Sequence, residues 1–248
     1  MSAKEPTYGK TVIMPRLCHI SKRSQGHFLV LVVVLMVTAG CAEDPTPTPT
    51  PPRPPLSAVE VLERSRDAMT AVASYKFAAD RTMYEDGRVY PSQISFQWVN
   101  PDSHWVRIEG VGRTRDYWGE SIVVGDRGAS RSSDRLEGTW RESELPPAPG
   151  FRDPGWAFAE LKQAELHDDA DIDGRPVYHV TAFRDSGIRD SPPVRYDLYI
   201  DKEDLRVRRL IMEGTFPGDR SDTITSTTTY DFYDYNVPVV IELPEVGE

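Results

Sequence analysis

In separate runs between Tyr75 and Phe232 apolar residues recur at every second position, and no other property of this 248-residue chain restricts its fold as tightly. A period of two is that of a β-strand with one buried face. Tyr75, Phe77 and Ala79 alternate with polar neighbours, Asp86-Gly87 supplies a turn, and Ile94, Phe96 and Trp98 alternate with Gln93, Ser95 and Gln97. The two runs predict a hairpin with one apolar face. Further strands are expected over 103–109, 113–118 and 120–124. Signals weaken after Asp126, and Trp140 marks one more strand.

The last third repeats the pattern. Asp173-Gly174 precedes a strand over 176–183, and "VRYDLYID" turns through 202–204 into "LRVRRLIMEG". Ile224, Ser226, Thr228, Tyr230 and Phe232 share one side of a final strand, with Thr223, Thr225, Thr227 and Thr229 on the other. The apolar parity slips between Val207 and Leu210, which predicts a β-bulge. Helical spacing is confined to two places. Over 57–72, Ala58, Val61, Leu62, Ser65, Ala68, Met69 and Val72 line one face behind a Ser57/Glu60 capping box. A second helix is expected from Asp153-Pro154 to about 166, burying Trp156, Leu161 and Ala164. About ten strands and two helices make an α+β domain on an antiparallel sheet. Such a sheet, with one long apolar face and two helices, must close on itself or curl around them, and either solution makes a pocket.

The front of the chain has a different character. Lys22, Arg23 and His27 precede ten apolar residues over 28–37, and the small residues Thr38, Ala39 and Gly40 come next. That is the layout of an export signal, and it falls short of the roughly 20 apolar residues of a membrane span. At "VTAGC" the stretch resembles the lipobox of bacterial lipoproteins, although Thr38 stands where a Leu is usual. The resemblance implies a signal peptide over 1–40, and Cys41 as the first mature residue, bearing diacylglycerol on sulfur and palmitate-type acyl chains. An ordinary secretory signal cut elsewhere is the alternative. Met14 opens a shorter basic region and is a second candidate start.

Two acyl chains hold a protein stably on a membrane where one does not, so the expected location is the extracytoplasmic face of the cell membrane. Cys18 would leave with the signal and Cys41 would be alkylated, which excludes a disulfide. Residues 45–55 contain seven prolines in eleven positions, an extended stalk of about 35 Å at polyproline rise. The remaining domain, 56–248, is long enough for one sizeable core. The whole chain carries −10, and its first 41 residues hold five Lys or Arg against one Glu, a net +4, so the remainder stands at −14. An acidic surface of that size argues against nucleic-acid binding and against a basic membrane-binding patch.

A helix soon after the lipobox cysteine, the strand meander, "YDLYIDKEDLRVRRLIMEG" and the closing "YDFYDYNVPVVIELP" resemble the mycobacterial lipid-carrier lipoproteins of the LppX/LprG family and, more distantly, the LolA lipoprotein-localisation carriers. The resemblance spans about 56–244. It implies a strongly curved, unclosed antiparallel sheet, a half-barrel with helices covering its concave face, and a cavity for a lipid or other apolar ligand. The lining residues expected from it are Phe77, Ile94, Phe96, Trp98, Leu198, Ile200, Leu210 and Met212 of the sheet, with Leu62 and Met69 of the helix. Each has plain core packing as its competing role.

Motifs of chemistry are sparse. Asp169, Asp171, Asp173 and Gly174 match the opening of a calcium loop, but the twelfth position is Val180 where a bidentate Glu belongs, so no metal site is expected. His104, His167 and His179 lack zinc-ligand spacing and a cysteine partner. No nucleophile elbow or phosphate loop occurs, and "GVGRTR" lacks the third glycine of a dinucleotide fingerprint. The chain is expected to be no enzyme and to need no cofactor. Its partners are expected to be the membrane, through the acylated cysteine, and an apolar ligand. The rival reading is an envelope sensor or scaffold that uses the same fold to hold a protein partner, with an interior too full for a ligand.

Overall fold

The computed structural model describes residues 55–99, 102–112, 114–133, 138–143, 154–189, 191–218 and 223–246. The expected signal peptide, Cys41 and the stalk as far as 54 lie outside the described residues. The chain divides into two units, Met1–Pro52 and Arg53–Glu248, and all the described residues belong to the second.

The described residues form one α-helix and twelve strands of a single antiparallel sheet. The helix α1 (Ala58–Thr70) starts at Ser57, whose hydroxyl accepts from the Glu60 amide while the Glu60 carboxylate accepts from the Ser57 amide, the reciprocal capping box. Its buried residues Val61, Ser65 and Met69 recur every four positions, as one helical face requires. The strands are β1 (Ser74–Glu85), β2 (Arg88–Val99), β3 (Ser103–Val111), β4 (Asp116–Val124), β5 (Arg127–Ser132), β6 (Arg141–Glu142), β7 (Lys162–Leu166), β8 (Ala170–Ile172), β9 (Arg175–Arg184), β10 (Val194–Asp201), β11 (Val207–Pro217) and β12 (Thr223–Tyr233). Their spatial order is β6-β5-β4-β3-β2-β1-β12-β11-β10-β9-β7, with β8 also paired to β9. The first and last strands therefore meet in the middle, and the two ends, β6 and β7, do not pair. The sheet is open.

Local chemistry sets the turns. Asp86 and Gly87 both have positive φ, 50° and 70°, as the two-residue hairpin between β1 and β2 demands. Asp173 and Gly174 repeat the device between β8 and β9, and Asp171 Oδ1 accepts from the Gly174 amide at 2.7 Å. Between β10 and β11 the register shifts after Tyr199, so that Ile200 opposes Val207 while Tyr199 opposes Arg209, the expected bulge. The C-terminal segment is tied back to the start of β1, where Asn236 Oδ1 accepts from the Ala73 amide and Ser74 Oγ donates to the Val237 carbonyl, both at 2.7 Å.

Two expectations are corrected. The second helix is a five-residue 3₁₀ turn, Pro154–Phe158, which leads into the edge strand β7. Glu160 and Gln163 have φ of 57° and 54°, which no α-helix accommodates, and β7 takes its hydrogen bonds from β9. The separate strands expected over 113–118 and 120–124 are one, β4, because Gly119 stays in register between Ile108 and Ser132 and does not turn. Among the described residues, one α-helix therefore faces a sheet of twelve strands, where two were expected to face ten.

Candidate functional site

Antiparallel register lines up the inward side chains in rows across the sheet. One row runs through Ile108, Ile94, Ala79, Tyr230, Leu210, Leu198, Val180 and Leu166, from β3 to β7. Beside it, Phe77 pairs with both Phe96 and Phe232, and its ring stacks on Phe96 at 4.7 Å between centroids. Tyr75 and Trp98 lie one row further, 5.5 Å apart. Trp156 from the 3₁₀ turn meets the Tyr230 ring edge-on at 5.5 Å. With Val61, Met69 and Val72 of the helical segment, all of these but Ile108 belong to one apolar cluster or pack against it.

All ten residues expected to line a cavity belong to this cluster or pack against it. Met69, Phe77, Phe96, Trp98, Leu198, Ile200 and Leu210 are buried members, whereas Leu62, Ile94 and Met212 are only partly buried at its margin. The helix contacts β7 and β9, at one side of the sheet. At the other side the apolar row continues into β3, where Val106 is half-buried and Ile108 is 36 % exposed.

Towards the β1–β2 hairpin the inner face turns polar. The next row holds Ser92, Arg81, Thr228, Met212, Tyr196 and Ala182, and beyond it Ser226 pairs with Gly214 and Val194 with Arg184. Ser92, Thr228 and Ser226 are buried. Arg81 Nε donates to Ser226 Oγ at 3.3 Å, and the Arg184 guanidinium lies 4.8 Å over the Tyr196 ring. Burial pushes the Tyr230 hydroxyl up to about 12, against the opposing pull of Arg81 and Arg184. Tyr196 is raised for the same reason, again with Arg184 opposing. The Tyr196 hydroxyl is fully buried and has no well-formed hydrogen bond. Neither arginine was foreseen as a site residue. The available signal was parity, because Arg81 continues Tyr75, Phe77, Ala79 and Arg184 continues Val180, Ala182.

The outer face carries a separate polar network. Asp197 Oδ1 accepts from Thr181 Oγ1 at 2.7 Å, His179 Nε2 at 3.0 Å and Arg195 at 3.0 Å. Burial would raise this carboxyl, but the three donors together hold it below the usual carboxylate range. His167 Nε2 lies 2.7 Å from Thr181 Oγ1, and the His179 ring stacks on Tyr199 at 4.5 Å. The Thr181 proton is directed at a carboxylate, so the group is arranged to clamp β7, β9 and β10 and not to activate a nucleophile. In the acidic loop, Asp169 pairs with Lys202 and Asp171 caps its own turn. Asp185, Ser186, Ile188, Arg189, Ser191 and Pro193 are among the residues that border a shallow surface hollow of about 430 Å³.

No protein-family model and no curated protein matches the sequence. Among solved structures the fold is similar to LprF from Mycobacterium bovis, at 12% identity and a TM-score of 0.50, over 75% of this chain and 96% of that one. The lipoprotein LppX of Mycobacterium tuberculosis is similar at 13% identity and a TM-score of 0.47, over 75% and 98%. A LolA-superfamily protein from Nitrosomonas europaea is matched at 10% identity and a TM-score of 0.32, over 77% and 96%. The domain has the fold seen in LprF.

Proposed function

We propose that the protein is an extracytoplasmic lipoprotein, moored to the membrane through acylated Cys41, whose domain binds a lipid or another apolar ligand on the inner face of its sheet for transfer or presentation in the cell envelope. The observation that carries this is the reach of the apolar row. It crosses eight strands, the helix contacts the sheet at β7 and β9, and at β3 the row ends on the partly exposed Ile108. Each methylene taken from water onto such a surface is worth about 0.8 kcal/mol, so a long acyl chain gains much there. A bilayer offers the same chain a similar refuge, which makes exchange with the membrane near-balanced. Leu62, Ile94 and Met212, at the margin of the cluster, are the expected residues best placed to touch ligand.

Native mass spectrometry of the full chain carrying Cys41→Ala, purified from cells, tests the reading. Lipid released on activation supports it, and a protein that stays at its polypeptide mass after exposure to lipid vesicles refutes it. The second reading, an envelope sensor or scaffold holding a protein partner, is favoured by the complete burial of Phe77, Leu198, Ile200 and Leu210, as in an ordinary filled core. It predicts the lipid-free outcome.

A further inference from the structure

Two charges are out of place on the inner face. Arg81 and Arg184 occupy inward positions on β1 and β9, partly buried, and among the described residues neither has a carboxylate within ion-pair distance. On the outer face Arg131, Arg195, Arg208 and Arg209 are each paired with an Asp or Glu. The contrast is informative in a chain with 39 acidic against 29 basic side chains, where a partner of opposite sign is easily found. A guanidinium drawn out of water is costly unless a counter-charge or hydrogen bonds compensate it. The two stand in adjacent rows at one end of the face, on strands four places apart. Between them lie Thr228, Met212 and Tyr196 in one row and Ser226 and Gly214 in the next, with the Phe216 ring packed over Gly214, and the buried Tyr196 hydroxyl beside Arg184 has a proton to donate. Apolar rows thus give way, along the same strands, to a cationic and hydroxyl-bearing end.

We propose that this end of the inner face receives the anionic headgroup of a lipid, so that the ligand is a phosphate- or carboxylate-bearing amphiphile held by Arg81 and Arg184 with its tails on the apolar rows. The proposal rests on the ligand-binding reading above and narrows its substrate class. Arginine suits the task because its planar fork binds phosphate or carboxylate oxygens in pairs and keeps its charge at every physiological pH. Adhesion to an anionic vesicle surface would not imitate the effect, since the chain is itself acidic and is repelled by such a surface.

The test uses the full chain with Cys41→Ala, incubated with phosphatidylcholine vesicles that contain a small fraction of tail-labelled phosphatidylglycerol or, separately, tail-labelled phosphatidylcholine. Protein is separated from vesicles by flotation and its label counted. The expected result is uptake of the anionic lipid in preference to the zwitterionic one by about tenfold, a difference of one well-placed charge-assisted contact. The double variant Arg81→Gln/Arg184→Gln should take up the two lipids equally, and Arg81→Lys/Arg184→Lys should keep a preference. Equal uptake by the unsubstituted arginine protein overturns the headgroup inference and leaves the carrier reading standing. Uptake of neither lipid overturns the carrier reading itself. Should the double Gln variant fail to fold by circular dichroism, the single variant Arg184→Gln replaces it, and a preference undiminished in that variant counts against the proposal.

Discussion

Removing the Phe77 ring separates packed core from exchangeable surface. Phe77 is fully buried, stacked on Phe96 at 4.7 Å, edge-on to Tyr230 at 5.3 Å and 5.6 Å from Phe232. The three surrounding rings, on the two strands that flank β1, cannot close over the missing volume without moving those strands, so Phe77→Ala incurs both the transfer and the cavity terms, about 3–5 kcal/mol. A domain of this kind is stable by about 5–15 kcal/mol, so the variant is expected to fold but with a large part of its margin gone. Ile94→Ala removes a side chain of the same apolar face that is only partly buried. Its exposed portion contributes no transfer energy, and about 1–2 kcal/mol is expected. Urea unfolding of the full chain, monitored by the fluorescence of its five tryptophans, reads the difference. At a slope of about 2 kcal/mol per molar, Phe77→Ala should lower the midpoint by about 2 M, and Ile94→Ala by less than about 1 M. The functional readout runs the opposite way, because Ile94→Asp should abolish lipid uptake while costing less stability than Phe77→Ala, though more than Ile94→Ala. If Ile94→Ala proves as destabilising as Phe77→Ala, the division of the inner face into a packed centre and an accessible margin is wrong.

Asp201 ends β10 with a carboxylate that accepts from the Glu203 amide at 2.8 Å and from Arg208 Nε at 3.0 Å; Asp201→Asn should cost about 1–3 kcal/mol in the same urea assay. Asp197 and Asp201 both have lowered pKa values, each because its hydrogen-bond donors outweigh the burial that would raise it. The unfolded chain therefore binds more protons than the folded one below about pH 4. Stability contributed by these groups is fully present above that point and is lost as pH falls through their lower folded values, so a urea midpoint no lower at pH 3 than at pH 6 would contradict the assignment. Tyr230 near 12 implies that absorbance at 295 nm will leave it un-ionised at pH 11 while ordinary tyrosines have titrated, and that Tyr230→Phe will not change the signal at that pH. Cell fractionation should find Cys41→Ala in the soluble fraction, and a variant still sedimenting with membranes would dispose of the acyl anchor.

The strands were legible because a period of two is a direct record of which side of a sheet is dry. Tyr75, Phe77, Phe96 and Trp98 announce their side unaided, Asp86-Gly87 announces its turn, and the parity slip before Leu210 announces its bulge. The second helix was misread because Asp153-Pro154 is a local cue, whereas the conformation of the next dozen residues is decided at a distance. Lys162–Leu166 find hydrogen bonds along β9, and two residues at positive φ bend the chain to reach them. Gly119 misled in the opposite sense, since a glycine between two bonded neighbours need not turn.

The candidate site was half-legible for a related reason. Parity gives the side of the sheet but not the depth beneath the helix, and depth is what distinguishes Phe77 from Ile94. It does carry one further signal, in the residues that violate it. A serine or threonine at an inward position is cheap, because a hydroxyl finds a neighbouring acceptor or donor, and Ser226 has Arg81 beside it. An arginine there is different, since a full charge is partly withdrawn from water. One such residue at a strand end is easily tolerated as a snorkelling side chain. Two of them, on strands four places apart but at the same end of one face, and without an ion-pair partner among the described residues, are harder to account for by packing. The reading of that end of the sheet as a seat for negative charge comes from this cost, and it requires no cavity at the centre of the domain. A headgroup at the polar end and tails lying along the Ile94–Ile108 margin would leave the aromatic core as filled as it is observed to be.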